Sequence, residues 1–309
     1  MRISTSWAQQ SSVNAMLDQQ SRLQQTQMQM STQKKILTAS DDPAAAALII
    51  DLNQSLKQTE QYQSNINAAR DRLTMEDGVL QSATEILQRI HELGVQGLSG
   101  TNTASSRTAA ATEMDALNGQ LLNLANTKNA NGEYMFSGLK STTQPFSKDA
   151  SNPGAYNYAG DSNSRLIQID AGRQVADGDP GSNVFGVPTG PLPATVPAPG
   201  SINNVFEAIN KLSADLKANT SSMASLDDIS KALDKISLAD ASVGARLNAL
   251  DNQESINSAA TLNLKTTLSA TQDLDYAEAI SRFTQQNTAL QAAQQTYTQV
   301  KKLSLFNYL

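Results

Sequence analysis

Proline placement constrains this chain more than any other feature of its sequence. Eight of the nine prolines fall between Pro145 and Pro199, and the ninth is Pro43. Proline ends helix interiors and central strands, so the proline-free stretches on either side favour long helices flanking a non-helical middle. Ten of the sixteen glycines crowd into the same region, from Gly132 to Gly200. The expected fold is mainly α with a β insert: long antiparallel coiled-coil-like helices from both termini, flanking a small β-rich domain.

Composition removes most chemistry. The chain has no cysteine, which excludes disulfides, thiolate metal sites and cysteine nucleophiles. A single histidine, His91, excludes a His-dependent triad or a multi-His metal site. The net charge is −6 and the pI about 4.9, and the 23 Lys and Arg form no basic run, which argues against a nucleic-acid binder. No segment reaches the roughly 18 apolar residues of a membrane span. The start, Met1-Arg2-Ile3-Ser4-Thr5-Ser6, lacks the apolar core of a secretory signal. No enzyme, cofactor or metal is expected.

The N-terminal arm reads as a helix from about Thr5 to Leu37, with apolar residues at Val13, Met16, Leu23, Met30 and Leu37 and with Gln20, Gln27 and Lys34 in the remaining seam positions. Nine glutamines in the first 33 residues make this seam too polar to hold an isolated helix, so the arm is expected to order against a partner. After a break at Thr38-Ala39-Ser40-Asp41-Asp42-Pro43, Asp42 is placed to cap the next helix and Pro43 to start it. That helix repeats every seven residues through Leu52, Thr59, Ile66, Leu73, Leu80 and Leu87, with a companion row at Tyr62, Ala69, Ala83 and Ile90. The seam is expected to stop near Gly94, Gly97 and Gly100, and a third helix to run from about Ser105 to Lys128.

The middle alternates short apolar segments with turn residues. Tyr134-Met135-Phe136, Tyr156 and Tyr158, and a strand face shared by Ile167, Ile169 and Ala171 suggest a small β domain, followed by a proline-rich linker from Pro188 to Gly200. Helix resumes near Asn203. Apolar spacing then runs through Ile229, Leu233, Ile236, Val243, Leu247, Leu250, Leu264 and Leu268. A last helix carries Tyr276, Phe283, Leu290 and Tyr297 at intervals of seven, supported by Ile280 and Val300, and ends in the apolar Leu303-Ser304-Leu305-Phe306. The organisation expected is an assembly helix over 1–40, a core arm over 41–131, the insert and linker over 132–200, a second core arm over 201–268 and an assembly helix over 269–309.

Candidate chemical motifs fail on spacing. His91-Glu92 opens like a zinc-protease motif, but Val95 stands where the second histidine is required. Lys140 follows Leu139 rather than the glycine of a phosphate-binding loop, and Asp161-Ser162-Asn163 lacks the later glycine and glutamate of a calcium loop. Asp41-Asp42 reads as a helix cap, and Asp177 and Asp179, beside Gly178 and Pro180, as turn residues. The chain ends are expected to be partner interfaces, through Ile3, Val13, Met16, Leu23 and Met30 on one arm. On the other arm the residues are Tyr276, Ile280, Phe283, Leu290, Tyr297, Val300, Leu303, Leu305 and Phe306.

Three segments carry a family likeness: Leu87-Gln88-Arg89-Ile90-His91-Glu92-Leu93-Gly94-Val95-Gln96, Gly100-Thr101-Asn102-Thr103 and Val243-Gly244-Ala245-Arg246-Leu247-Asn248. They resemble the flagellin superfamily. Four more are similar to its hook–filament junction proteins: Leu37-Thr38-Ala39-Ser40-Asp41-Asp42-Pro43, Tyr134-Met135-Phe136-Ser137-Gly138, Leu274-Asp275-Tyr276-Ala277-Glu278-Ala279 and the tail from Thr288. The resemblance implies paired terminal helices at the inner wall of a tubular assembly and an outward-facing insert. It implies a secreted flagellar adaptor, exported by the type III apparatus, between a hook-side junction protein (hook-associated protein 1) and flagellin, with copies of itself in a ring. An export chaperone of the FlgN type would hold the last helix, with Phe283, Leu290, Tyr297 and Leu305 as candidate contacts. A flagellin, a secreted type III translocator and a cytosolic coiled-coil scaffold remain alternatives.

Overall fold

The computed structural model describes residues 5–150, 154–187, 203–220 and 222–302. Ile3, Leu303, Leu305 and Phe306 lie outside the described residues, as does the proline-rich 188–200 stretch. The chain forms two units, one spanning Gln61–Ser258 and the other joining Met1–Glu60 to Ala259–Leu309.

In the central unit, α2 (Pro43–Leu98) supplies the main seam. Ile66, Leu73, Leu80 and Leu87 are fully buried, as are Ala69, Ala83 and Ile90 of the companion row, and Tyr62 of that row is buried. Burying each large apolar side chain stabilises by roughly 1.5–3 kcal/mol. α6 (Met223–Gln272) runs antiparallel to α2 here, since Arg70 bonds Asp251 at 2.9 Å and also pairs with Glu254, while Gly94 lies under Leu226. Ile229, Ile236, Val243 and Leu250 face the core from α6.

The seam stops where expected, with α2 ending at Leu98 just before Gly100, but Gly94 and Gly97 lie inside the helix. An added Cβ at Gly94 would come within 2.8 Å of Leu226 and one at Gly97 within 2.8 Å of Leu216, so both glycines admit leucines from facing helices. α3 (Ala104–Ala125), capped by Thr103, packs on α5 (Val205–Lys217), capped by Asn204. Their contact buries Met114, Leu121, Ile209 and Leu212.

The insert is two antiparallel hairpins, β1 (Phe146–Lys148) with β2 (Tyr156–Tyr158) and β3 (Leu166–Asp170) with β4 (Arg173–Ala176), followed by the single-turn α4 (Gly181–Val184). Two-stranded ribbons are not stable alone in water. The first is held by an aromatic cluster in which Phe146 contacts Phe185 at 5.6 Å, Phe206 of α5 at 5.1 Å and Tyr158 at 4.9 Å between ring centroids, and the second by bonds from Asn65 of α2 and Asn257 of α6 to its main chain. The insert therefore shares its core with α5 rather than forming a separate β domain. Tyr134-Met135-Phe136 lies in turns, with one isolated bridge from Lys128 to Tyr134, and Ala171 falls beyond β3 and is exposed.

In the terminal unit, α1 (Thr5–Thr32) stops five residues before the expected Leu37. Gln33 adopts a left-handed φ of 62°, and the chain then bridges Lys34 to Asp273. Two main-chain bonds lock that crossing: Lys35 N–H to Gln272 O at 2.8 Å and Leu274 N–H to Gln33 O at 3.1 Å. Backbone groups spent on this crossing are not free to continue the α1 hydrogen-bond ladder. Asp42 Oδ1 accepts from Ala45 N–H at 3.0 Å, capping α2 with Pro43 in its first position. Asp41 accepts from the N–H groups of Leu37 and Thr38, both at 3.0 Å, and the Thr38 and Leu37 bonds hold its carboxyl below the ordinary value.

Candidate assembly interface

α1 and α7 (Tyr276–Lys302) pair antiparallel within the terminal unit. Tyr276 Oη–H donates to Met30 O at 2.8 Å near one end. Further along, Thr26 Oγ1–H donates to Gln286 Oε1 at 2.9 Å, and Gln19 Nε2–H to Gln286 O at 3.2 Å. Val13, Met16, Leu23 and Met30 on α1, and Phe283, Leu290 and Tyr297 on α7, are half-buried along this pair. The structure thus brings most of the sequence-selected residues of the two arms to one helix pair. Val300 lies on α7, but its side chain is outside the described residues.

Two of the selected residues stay open: Tyr276 is 42% exposed and Ile280 51%. Trp7, Leu17 and Met28 on α1 are more than half exposed. A groove of about 350 Å³ follows the end of α1, lined by Thr32, Ile36, Leu37, Ile49, Ile50 and Gln272 among others. The seam expectation needs one correction. Gln20, Gln27 and Lys34 are exposed, and the polar side chains buried in α1 are Thr26 and Gln29. Thr26 is buried because its hydroxyl bonds across the pair, and Gln29 because its amide donates to Lys35 O at 2.7 Å. Ala279, which supports the heptad row of the last helix, is fully buried on α7.

The remaining candidates sit in the central unit. His91 is half-buried on α2, and among the described residues no group of three or more His, Asp or Glu is placed to hold a metal ion. Asp161 Oδ1 accepts from Asn163 N–H at 3.0 Å, a turn bond. Asp177 and Asp179 do stand in a turn, but they are ion-pair partners rather than solvated turn residues. Asp177 is 1% exposed and pairs with Arg165, and Asp179 pairs with Arg246 of α6. Glu76 of α2, buried beside them, was passed over because it interrupts the companion row between Ala69 and Ala83.

Two family models match the two ends of the chain: the bacterial flagellin N-terminal helical region over residues 3–141 and the bacterial flagellin C-terminal helical region over 226–309. Flagellar hook-associated protein 3 of Escherichia coli is 32% identical over 318 aligned positions, covering 99% of both chains. The chain belongs to the flagellin superfamily, in its hook-associated protein 3 branch. A flagellin of Bacillus subtilis is 25% identical, covering 98% of this chain and 97% of its own. The crystal structure of flagellar hook associated protein-3 from Legionella pneumophila matches the fold with a TM-score of 0.64, at 24% identity, over 72% of this chain and 98% of that one. Members of this branch are structural proteins of the bacterial flagellum.

Proposed function

We propose that this chain is the adaptor between the hook-side junction protein and the flagellin filament, exported and placed at the hook–filament junction as a ring of identical subunits. The observation that carries this reading is the end-to-end match to hook-associated protein 3 at 32% identity, above the 25% to a flagellin of similar coverage. The α1–α7 pair supports it: apolar side chains such as Trp7, Leu17, Met28 and Ile280 stand exposed on helices whose own seam is only half-buried. Heterologous contacts through such faces would extend one lattice from hook to filament. An export chaperone of the FlgN type would cover Phe283, Leu290, Tyr297 and Leu305 before assembly.

A strain lacking the chain tests the proposal. Hooks without filaments, with monomeric flagellin shed into the medium, are the expected result. Hooks with neither filament nor shed flagellin would instead make this chain the flagellin, a reading kept open by the near full-length Bacillus subtilis match. Unchanged filaments and swimming would remove both.

A further inference from the structure

Glu76 stands where the companion row of α2 calls for an apolar residue, and it is 1% exposed. Three arginines and three other acids surround it. Arg246 of α6 pairs with Asp179 and donates to Ala176 O at 3.3 Å. Arg165, just before β3, pairs with Asp177. Arg72, one turn before Glu76 on α2, bonds Glu133 at 3.3 Å and lies 3.9 Å from Asp177. Each arginine thus has a carboxylate, and Glu76 is a fourth acid against three bases. Its Oε1 accepts from Asp179 N–H at 3.1 Å. Its Oε2 is buried without a hydrogen-bond partner, packed against Gly178, where an added Cβ would sit 3.5 Å away.

We propose that Glu76 is a proton-operated latch, which fastens the Asp177-Gly178-Asp179 turn and the β3–β4 hairpin to α2 and α6 while it is neutral. With the proton on, three arginines balance three carboxylates. With the proton off, a buried negative charge faces Asp179 and Asp177; each nearby arginine pairs with another carboxylate, and Arg72 Nε, 3.9 Å from Asp177, is the one arginine nitrogen there that is buried without a hydrogen-bond partner. Burial is the largest influence raising its pKa, followed by the charge of Asp179. Together they outweigh Arg246, the Asp179 N–H and Arg72, and the carboxyl is pushed up from 4.5 to about 8. Because the folded value exceeds the unfolded one, the latch's contribution is complete below about pH 4.5 and is lost as pH rises through about 8.

The far side of the hairpin is held by contacts that involve no carboxyl group: Asn65 to Gln168 O at 2.7 Å, Asn257 to Ile169 O at 3.4 Å and Arg173 to Gln253 at 3.2 Å. Loosening should therefore begin at the turn. The next residue of α2, Asp77, hydrogen-bonds Asp240 of α6, whose carboxyl is raised by burial and then by Asp77. That pair is a second proton site on the same two helices, and the test must separate the two.

In the full chain, hydrogen exchange of residues 165–180, corrected for the intrinsic pH dependence, is followed from about pH 6.5 to about pH 9.5. Protection is expected to fall at least about tenfold with an inflection near pH 8, while peptides of α3 and α5 stay protected. Glu76→Gln keeps the shape without the charge and should hold its protection within about twofold. A flat wild-type profile, or an equal loss in Glu76→Gln, overturns the latch. Should Glu76→Gln not fold, Asp240→Asn decides: the inflection persists if Glu76 is the latch and disappears if the Asp77–Asp240 pair is responsible.

Discussion

The two units are both built largely from helices and differ in what those helices hide. The central unit buries Phe136, Phe146, Phe185 and Phe206 completely, together with the leucines of the α2 seam. Among the described residues of the terminal unit, the buried apolar side chains are Leu274 and Ala279, and Thr26 and Gln29 are buried with them. Helical hydrogen bonding is common to both, so it cannot be what separates them. Tertiary burial supplies most helix stability, and the terminal pair has little of its own. One region is finished by its own side chains, and the other leaves its seam half-buried.

The contrast breaks most readily at its strongest point. Phe146→Ala should lower the unfolding free energy by about 3–5 kcal/mol in denaturant titration, whereas Leu23→Ala on half-buried α1 should cost less than about 1.5 kcal/mol. Equal losses would mean that the terminal pair is as well packed as the centre. Next in size is assembly itself. Leu290→Asp should weaken incorporation into the junction by about a hundredfold, because it places a charge inside a helix contact, while Asp161→Ala should leave incorporation unchanged. Quantifying each variant in purified hook–filament fractions measures this. Equal incorporation would detach Leu290 from the interface.

Smaller effects sharpen the comparison at helix starts. Asn204 accepts from the N–H groups of Phe206 and Glu207 at 3.1 and 3.2 Å in a buried setting, so Asn204→Ala should cost about 1–2 kcal/mol. Asp42 makes its single cap bond at an exposed position, and Asp42→Ala should cost about 0.5 kcal/mol. Thermal unfolding of both variants beside the parent would reveal whether a cap's effect follows the packing behind it.

Much of this was legible in the sequence. The heptad of α2 placed Ile66, Leu73, Leu80 and Leu87 in the core, and the proline map located the insert between the helical arms. The Asp42-Pro43 cap was readable because its geometry is local. What sequence could not supply were the pairings between distant segments. The early end of α1 depends on Lys35 and Gln33 meeting Gln272 and Leu274, which periodicity along α1 does not encode. The same holds for Thr26, buried by a bond to Gln286, and for the leucines seated on Gly94 and Gly97. Glu76 left a trace: the companion row is apolar at every place but one. A charged residue in an otherwise apolar row asks where its compensation lies, and here most of it comes from about 100–170 positions away, from the Asp179 N–H and Arg246.

The aromatic cluster has a consequence for the order in which the chain can mature. Its rings come from Phe136 through Phe206, roughly 70 residues apart in sequence, and the α5 ring touches Phe146, Tyr156 and Phe185. The β1–β2 hairpin has no aromatic core to close on until α5 is available, so it should condense late, through contacts of long sequence separation that form slowly. A chain interrupted before Val205 would leave these rings without their α5 partner. Completeness of the C-terminal half is thereby written into the folding of the middle.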